Sequence, residues 1–242
     1  HTVDDQSKNV IEGENTVKKR MGIVFLTVGL LLNGLFGVGC ALAESDGSLH
    51  LYREIPFETP TQEAVLEVLL KKTDASFRVS NEIIDGKLEI FDFGYPWTLQ
   101  TDFLGKKGID RMLFSSAQTA RVEPEDWPSR LRSDLLEFMD VEGQLTALYG
   151  EPDERFFFMN DGKEKYMFAD GTWEIEPMLS VYQEYRVFRS FSLWGNVVLQ
   201  TWVDSLNARY ADKPLSRVML YFYPERMPSA APILPYQPSQ EH

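Results

Sequence analysis

The spacing of apolar residues predicts two helices, one early in the chain and one near its middle. Behind the capping sequence Thr-Pro-Thr-Gln at 59–62, apolar residues recur at helical intervals, which predicts a helix with Thr59 as its N-cap. A second helix is predicted over 128–149, with Gly143 as a candidate break and Gly150 as the C-terminal cap.

Alternating apolar and polar residues predict antiparallel strands after each helix. The predicted strands are 77–84, 87–93, 98–104, 110–115, 155–160, 163–169, 172–176, 182–194, 197–204 and 216–223. Tight turns between them are predicted at Asp85-Gly86, Asp161-Gly162, Asp170-Gly171 and Gly195-Asn196. The order helix and then meander therefore occurs twice along the chain.

These elements predict an α+β fold of two tandem units, each a helix plus an antiparallel β-meander, with the helices packed on one face of the sheet. Five of the chain's 13 prolines lie in the last stretch, which favours an extended or disordered tail. The predicted organisation is a leader at 1–43, a linker at 44–58, a first unit at 59–122, a second unit at 123–223 and a Pro-rich disordered tail at 224–242.

The middle of the chain also resembles known exported proteins in its layout. A helix ending in Leu-Tyr-Gly-Glu-Pro-Asp at 148–153 is followed by strands that contain Asp-Gly pairs and a Trp. Over residues 129–223 this is similar to small exported lipoproteins and to tandem-repeat β-lactamase inhibitor proteins. The resemblance implies helices on one face of an antiparallel sheet, but this stretch has no cysteines for disulfides.

The beginning of the chain has the pattern of a secretory signal. Basic residues at 18–20 precede an uncharged stretch, 21–43, that ends in the small-x-small sequence Ala-Leu-Ala. We expect export with cleavage after Ala43, and a translational start at Val17. Two alternatives stay open: a retained membrane anchor, and lipidation at Cys40.

Composition and charge restrict the kinds of partner and chemistry. In 242 residues, 24 Lys and Arg oppose 37 Asp and Glu, so the net charge is −13 and a nucleic-acid partner is not expected. One Cys and three His, two of them terminal, leave few residues for a metal site or a Ser-His-Asp triad. Nucleophile-elbow and phosphate-loop motifs are absent from the sequence. Together with the low Cys and His counts, this predicts neither a metal nor a cofactor.

Aromatic residues in the last strands are the candidate binding residues. Trp202 alternates onto the face of its strand opposite Val197, Leu199 and Val203, and Tyr221 and Tyr223 do the same in the final strand. Two readings stay open: this face is covered by another part of the protein, or it is an exposed recognition platform.

Two further tryptophans are added to this tentative binding set. Trp194 comes at the end of the neighbouring strand, and Trp97 ends an aromatic turn at 93–97. For Trp97 the pattern also predicts a structural role, in which the indole packs on the core. A platform of such rings would suit a protein surface or a sugar ring.

The leading functional hypothesis is an exported, non-catalytic binding module of the extracytoplasmic space or cell envelope. Its partner would be a protein or a cell-envelope ligand, carbohydrate included, with membrane contact only through the leader. The alternatives are a secreted glycosidase-like hydrolase using Glu174 and Glu176 on one strand, and a membrane-tethered assembly or structural factor. Asp161 and Asp170 precede glycines and are predicted as turn residues rather than calcium ligands.

Overall fold

A ten-stranded sheet is the main element of the computed structural model, which describes residues 50–116, 127–159, 163–185, 187–204, 215–228 and 231–236. Its strands are β1 Arg78–Ile84, β2 Lys87–Asp92, β3 Tyr95–Phe103, β4 Ile109–Ser116, β5 Glu154–Met159, β6 Lys165–Met167, β7 Val187–Trp194, β8 Val197–Asp204, β9 Leu215–Phe222 and β10 Ile233–Pro235. The helices of the described residues are α1 Gln62–Leu70, α2 Trp127–Tyr149 and α3 Ile175–Tyr185, with short 3-10 turns at Tyr52–Glu54 and Gly105–Lys107. The described residues belong to one compact unit that begins at Leu49.

The strands lie in the order β1-β2-β3-β4-β9-β8-β7-β5-β6-β10. Neighbours are antiparallel except β6 and β10, which are parallel. Pairing of β4 with β9, which places Leu113 opposite Tyr221, joins the two predicted units into one sheet. The predicted α+β class, with helices packed against an antiparallel sheet, is confirmed.

The helices bury their apolar stripes against one face of this sheet. In α2 the buried residues recur every three or four positions, as one face of a helix requires. They are Leu131, Leu135, Phe138, Val141 and Leu145. Helix α2 lies over β8 and β9, α3 contacts β7, and α1 contacts β1. Their apolar side chains form one core with inward-facing strand residues such as Leu99, Leu199 and Leu220.

Local turn signals predicted the backbone well. Asp85 and Gly86 have φ of 50° and 72°, as a tight hairpin of the predicted kind requires. Gly150 follows α2 at φ 83°, and its N–H donates to the Thr146 carbonyl at 2.9 Å. The candidate break at Gly143 was wrong, because α2 is continuous through it.

The start of α1 was predicted two residues early. Thr61, not Thr59, is the N-cap: its backbone is extended, and its hydroxyl accepts from the Ala64 N–H at 3.2 Å. The N–H of Thr59 instead donates to the Pro56 carbonyl at 3.0 Å, which closes a turn before the helix.

The strand predicted at 172–176 was also wrong. Thr172 closes a turn on the Asp170 carboxylate, and the Glu174 carbonyl accepts from the Met178 N–H at 3.1 Å as α3 begins. Pro177 lies within the first turn of α3, where a missing N–H costs no helical bond. Helix α3 also takes the beginning of the strand predicted at 182–194.

The predicted linker and tail both contribute to the structure. Within the linker, Tyr52 and Ile55 are buried in the core. The Tyr52 hydroxyl donates to the buried carboxylate of Asp92 at 2.8 Å, and Arg53 forms an ion pair with it at 2.7 Å. In the tail, 233–235 add β10 at the sheet edge, a position that tolerates proline.

Several predictions concern residues outside the described ranges. These are the leader, the first part of the linker, Cys40, the Asp161-Gly162 turn and the last residues of the tail. Among the helices that the structure describes, none combines the length and the hydrophobicity needed to cross a bilayer.

Gly108 occupies a position that other residues should not tolerate. Its φ is 109°, and the next N–H, of Ile109, donates to the Phe57 carbonyl at 2.6 Å. A Cβ on Gly108 would overlap the backbone of Phe57 and Glu58. We expect Gly108→Ala to lower the free energy of unfolding by about 2 kcal/mol or more in urea denaturation.

The matched control is Gly143→Ala, in the middle of α2, where an added Cβ meets no heavy atom within 4 Å. It should raise the free energy of unfolding by about 0.5–1 kcal/mol, because alanine favours helix. Equal effects of the two substitutions would contradict the close approach at Gly108.

Stability should depend on pH through Glu137 in α2. Burial, followed by the nearby Asp134 carboxylate, raises the pKa of Glu137 to about 7 from an ordinary value of 4.5. The folded protein therefore holds this proton more tightly than the unfolded chain, so stability falls as the pH rises from about 4.5 to 7. Between pH 5 and pH 8, the free energy of unfolding of Glu137→Gln should fall by roughly 1 kcal/mol less than that of the wild type, as measured by thermal melts. This figure is reduced for partial solvent exposure. Glu82→Gln, at an exposed position in β1, should keep the wild-type pH dependence.

Candidate functional site

The sheet face opposite the core carries three rows of side chains, set by strand register. The first row is Phe158, Arg189, Trp202 and Arg217. The second is Phe156, Phe191, Gln200, Met219 and Ser115. The third is Glu154, Leu193, Val198, Tyr221 and Leu113. We call these three rows the open face.

The centre of the open face is an apolar layer of its own. Phe156, Val198 and Met219 are only 5%, 6% and 4% exposed, yet none belongs to the core under the helices. Within the described residues, the helices direct their buried side chains to the other face. Phe156 stacks on Phe191 with ring centroids 5.0 Å apart, so neighbours on the same face supply part of this burial.

Trp202 lies between two arginines in the first row. The Arg189 guanidinium is 4.8 Å from the centroid of the Trp202 ring, which is cation–π distance. The indole Nε1 of Trp202 and the Nε of Arg217 are buried, and neither has a hydrogen-bond partner among the described residues. Because buried donors are normally satisfied, these two groups are exceptions that set this row apart from the core.

Tyr221 lies in the third row of the open face, and Tyr223 follows it on the same side of the chain. Their rings are parallel, with centroids 6.0 Å apart, and the Arg111 guanidinium is 5.8 Å from the Tyr221 ring. Asp102 fixes Arg111 through a hydrogen bond of 2.9 Å from Nε to Oδ2. Burial raises the pKa of both tyrosines above the ordinary value of 10.

Trp97 and Trp194 do not belong to this platform, which corrects the sequence prediction. They are 2% and 3% exposed and lie in the core. The Trp97 indole donates to the Asp92 carbonyl at 2.9 Å, and the Trp194 indole donates to the Gly150 carbonyl at 2.8 Å. Since a two-residue turn places Trp194 directly opposite Val197, Trp194 points to the covered face.

The structure adds residues that the sequence did not single out. Phe156, Phe158 and Phe191 extend the aromatic surface onto β5 and β7, and Arg189 and Arg217 flank Trp202. The continuous apolar run in β5 contained a signal for this, because it implies a strand with apolar side chains on both faces.

The acidic candidates are not arranged for catalysis on a common strand. Glu174 precedes α3, and Glu176 lies in its first turn, where it forms an ion pair with Arg132. Asp170 is a turn residue, as predicted, and accepts from the Thr172 N–H at 3.1 Å. In the part of the chain that the structure describes, no group of three or more His, Cys, Asp or Glu is placed to hold a metal ion.

Comparisons with protein-family models, curated proteins and solved structures give no match to this chain. The case for a function therefore depends on the geometry of the open face.

Fluorescence quenching can test the placement of Trp202. Trp97, Trp173 and Trp194 are at most 5% exposed, whereas Trp202 is half-buried. We expect Trp202→Phe to reduce acrylamide quenching of the purified protein clearly, while Trp97→Phe leaves it nearly unchanged. An equal change in both variants would mean that Trp202 is as protected as the core.

Proposed function

We propose that this protein is an exported, non-catalytic binding module that recognises a partner protein through the open face. The observation that carries the proposal is that Phe158, Phe191, Trp202 and Tyr221 stay partly exposed around a buried apolar layer, on the face away from the described helices. An apolar sheet surface without a helix of its own is the kind of surface that an interface covers.

The size and chemistry of the open face favour a protein over a sugar. Five adjacent strands span about 19 Å from first to last at ordinary strand spacing, which suits a protein contact. Trp, Tyr and Arg, the residue types enriched in interface hot spots, occur in its rows. Sugar stacking needs free ring faces, but Arg189 covers one face of Trp202 and Arg111 approaches Tyr221.

Unsatisfied donors indicate where specificity would arise. Trp202 Nε1 and Arg217 Nε are buried without a partner among the described residues, so a carbonyl or carboxylate oxygen of the partner would bind them once local side-chain movement exposes them. The surrounding phenylalanines would supply apolar contact area. The signal-like pattern at 18–43 supports an extracytoplasmic location for this interaction.

Affinity capture with matched variants tests the proposal. The purified full chain is immobilised and exposed to the extracytoplasmic fraction of its source cells, and captured proteins are quantified by mass spectrometry. We expect a partner whose capture falls about tenfold for Trp202→Ala and for Arg217→Ala, because Trp and Arg are the residue types that dominate binding energy in interfaces.

The control is Leu148→Ala, since Leu148 is 63% exposed on α2 and lies away from the open face. This variant should capture the partner like the wild type, and circular dichroism should give the same fold for all the variants. Capture that is equally reduced in the Leu148 variant, or unchanged in the Trp202 and Arg217 variants, would contradict the proposal.

A further inference from the structure

The last strand of the sheet enters as a separate extended segment. β10 runs parallel to β6, with Ile233 opposite Lys165 and Pro235 opposite Met167, and the Tyr236 N–H donates to the Met167 carbonyl at 2.8 Å. A tight hairpin cannot join parallel strands, so β10 must arrive from elsewhere in the chain. The edge of β6 thus pairs with a strand that no hairpin joins to it.

One side chain anchors this segment. Tyr236 is 8% exposed, whereas Ile233 and Leu234 are 37% and 38% exposed. The Tyr236 ring packs edge-on against Phe157 and Phe168, with centroids 5.4 and 5.8 Å apart. The segment is therefore held by its backbone hydrogen bonds and by the buried side chain of Tyr236.

A cavity continues the groove beyond this anchor. It encloses about 430 Å³ beside α3, and its lining includes Phe168, Ala169, Pro177 and Tyr236. Together the β6 edge and this cavity form what we call the tail groove, defined by Lys165–Met167, Phe157, Phe168 and Pro177.

The connection from β9 to β10 is long and is attached near its start. The Tyr223 N–H donates to the Asn196 carbonyl at 3.0 Å, and the Asn196 amide donates to the Tyr223 carbonyl at 2.7 Å. Within its described part, Met227 N–H donates to the Gly195 carbonyl at 3.0 Å, and Arg226 pairs with Asp153 at 3.0 Å. The ten residues at 223–232 reach at most about 33 Å. Crossing five strand spacings, from β9 to β10, requires about 24 Å.

We propose that the tail groove is an exchangeable peptide site, which takes residues 231–236 from its own chain or from a second copy. Exchange replaces each contact of the segment with the same contact from another molecule. It therefore changes the free energy little once the contacts of the connection are broken. The tail groove and the open face share β5 but use opposite sides of it, because Phe157 lies in the core whereas Phe156 and Phe158 lie on the open face.

Shortening the connection tests the exchange. Deleting 224–229 leaves four residues, which reach about 14 Å and cannot span the five strand spacings within one chain. The proposal predicts that this variant is a dimer in light scattering coupled to size exclusion. Adding Tyr236→Ala should return it to a monomer, and adding Leu234→Ala, at an exposed position, should not. A monomeric deletion variant, or a dimer indifferent to Tyr236→Ala, would overturn the proposal.

A peptide measurement keeps the test decisive if the deletion variant does not fold. A labelled peptide of residues 231–242 is titrated, by fluorescence anisotropy, with the full chain carrying Tyr236→Ala. We expect binding about tenfold tighter than to the wild type, whose groove is filled. Equal binding to both chains, or equal binding of a peptide carrying alanine in place of Tyr236, would refute the site.

Discussion

The pairing of β4 with β9 is the constraint on which the rest of the structure depends. It joins a strand from the first meander to the last long strand of the second, with Ser115 opposite Met219. All ten strands become one sheet only through this ladder. The second and third rows of the open face cross this ladder and reach Ser115 and Leu113, so without it those rows would end at β9.

Aromatic residues serve two different purposes on the two faces of this sheet. Under the helices, Trp97, Trp173 and Trp194 each donate their indole N–H to a fixed acceptor. On the open face, Trp202 has no such acceptor among the described residues. Since a buried indole N–H is normally hydrogen-bonded, this contrast separates the three rings that complete the core from the half-buried ring of Trp202.

The sequence predicted what is local and missed what is remote. Asp85-Gly86 and Gly150 specify their own backbone, so the hairpin and the helix end were predicted correctly. The alternation at 172–176 looked like a strand because the sequence does not reveal that the Trp173 indole donates to the distant Ser192 hydroxyl, just before α3 begins. The alternation of side chains along β8 predicted which residues share a face with Trp202. The choice of the face that the helices cover depends on packing between distant segments. The short parallel pairing of β10 leaves no periodic signal.

A single buried amide links the first described residue to the start of the tail. The Asn196 side chain, 1% exposed, donates to the carbonyls of His50 and Tyr223 at 2.8 and 2.7 Å and accepts from the His50 N–H. Segments far apart in sequence are thereby fastened to the same hairpin turn. Local opening of that turn would release both of them together, so we expect the backbone around His50 and Tyr223 to open as one unit.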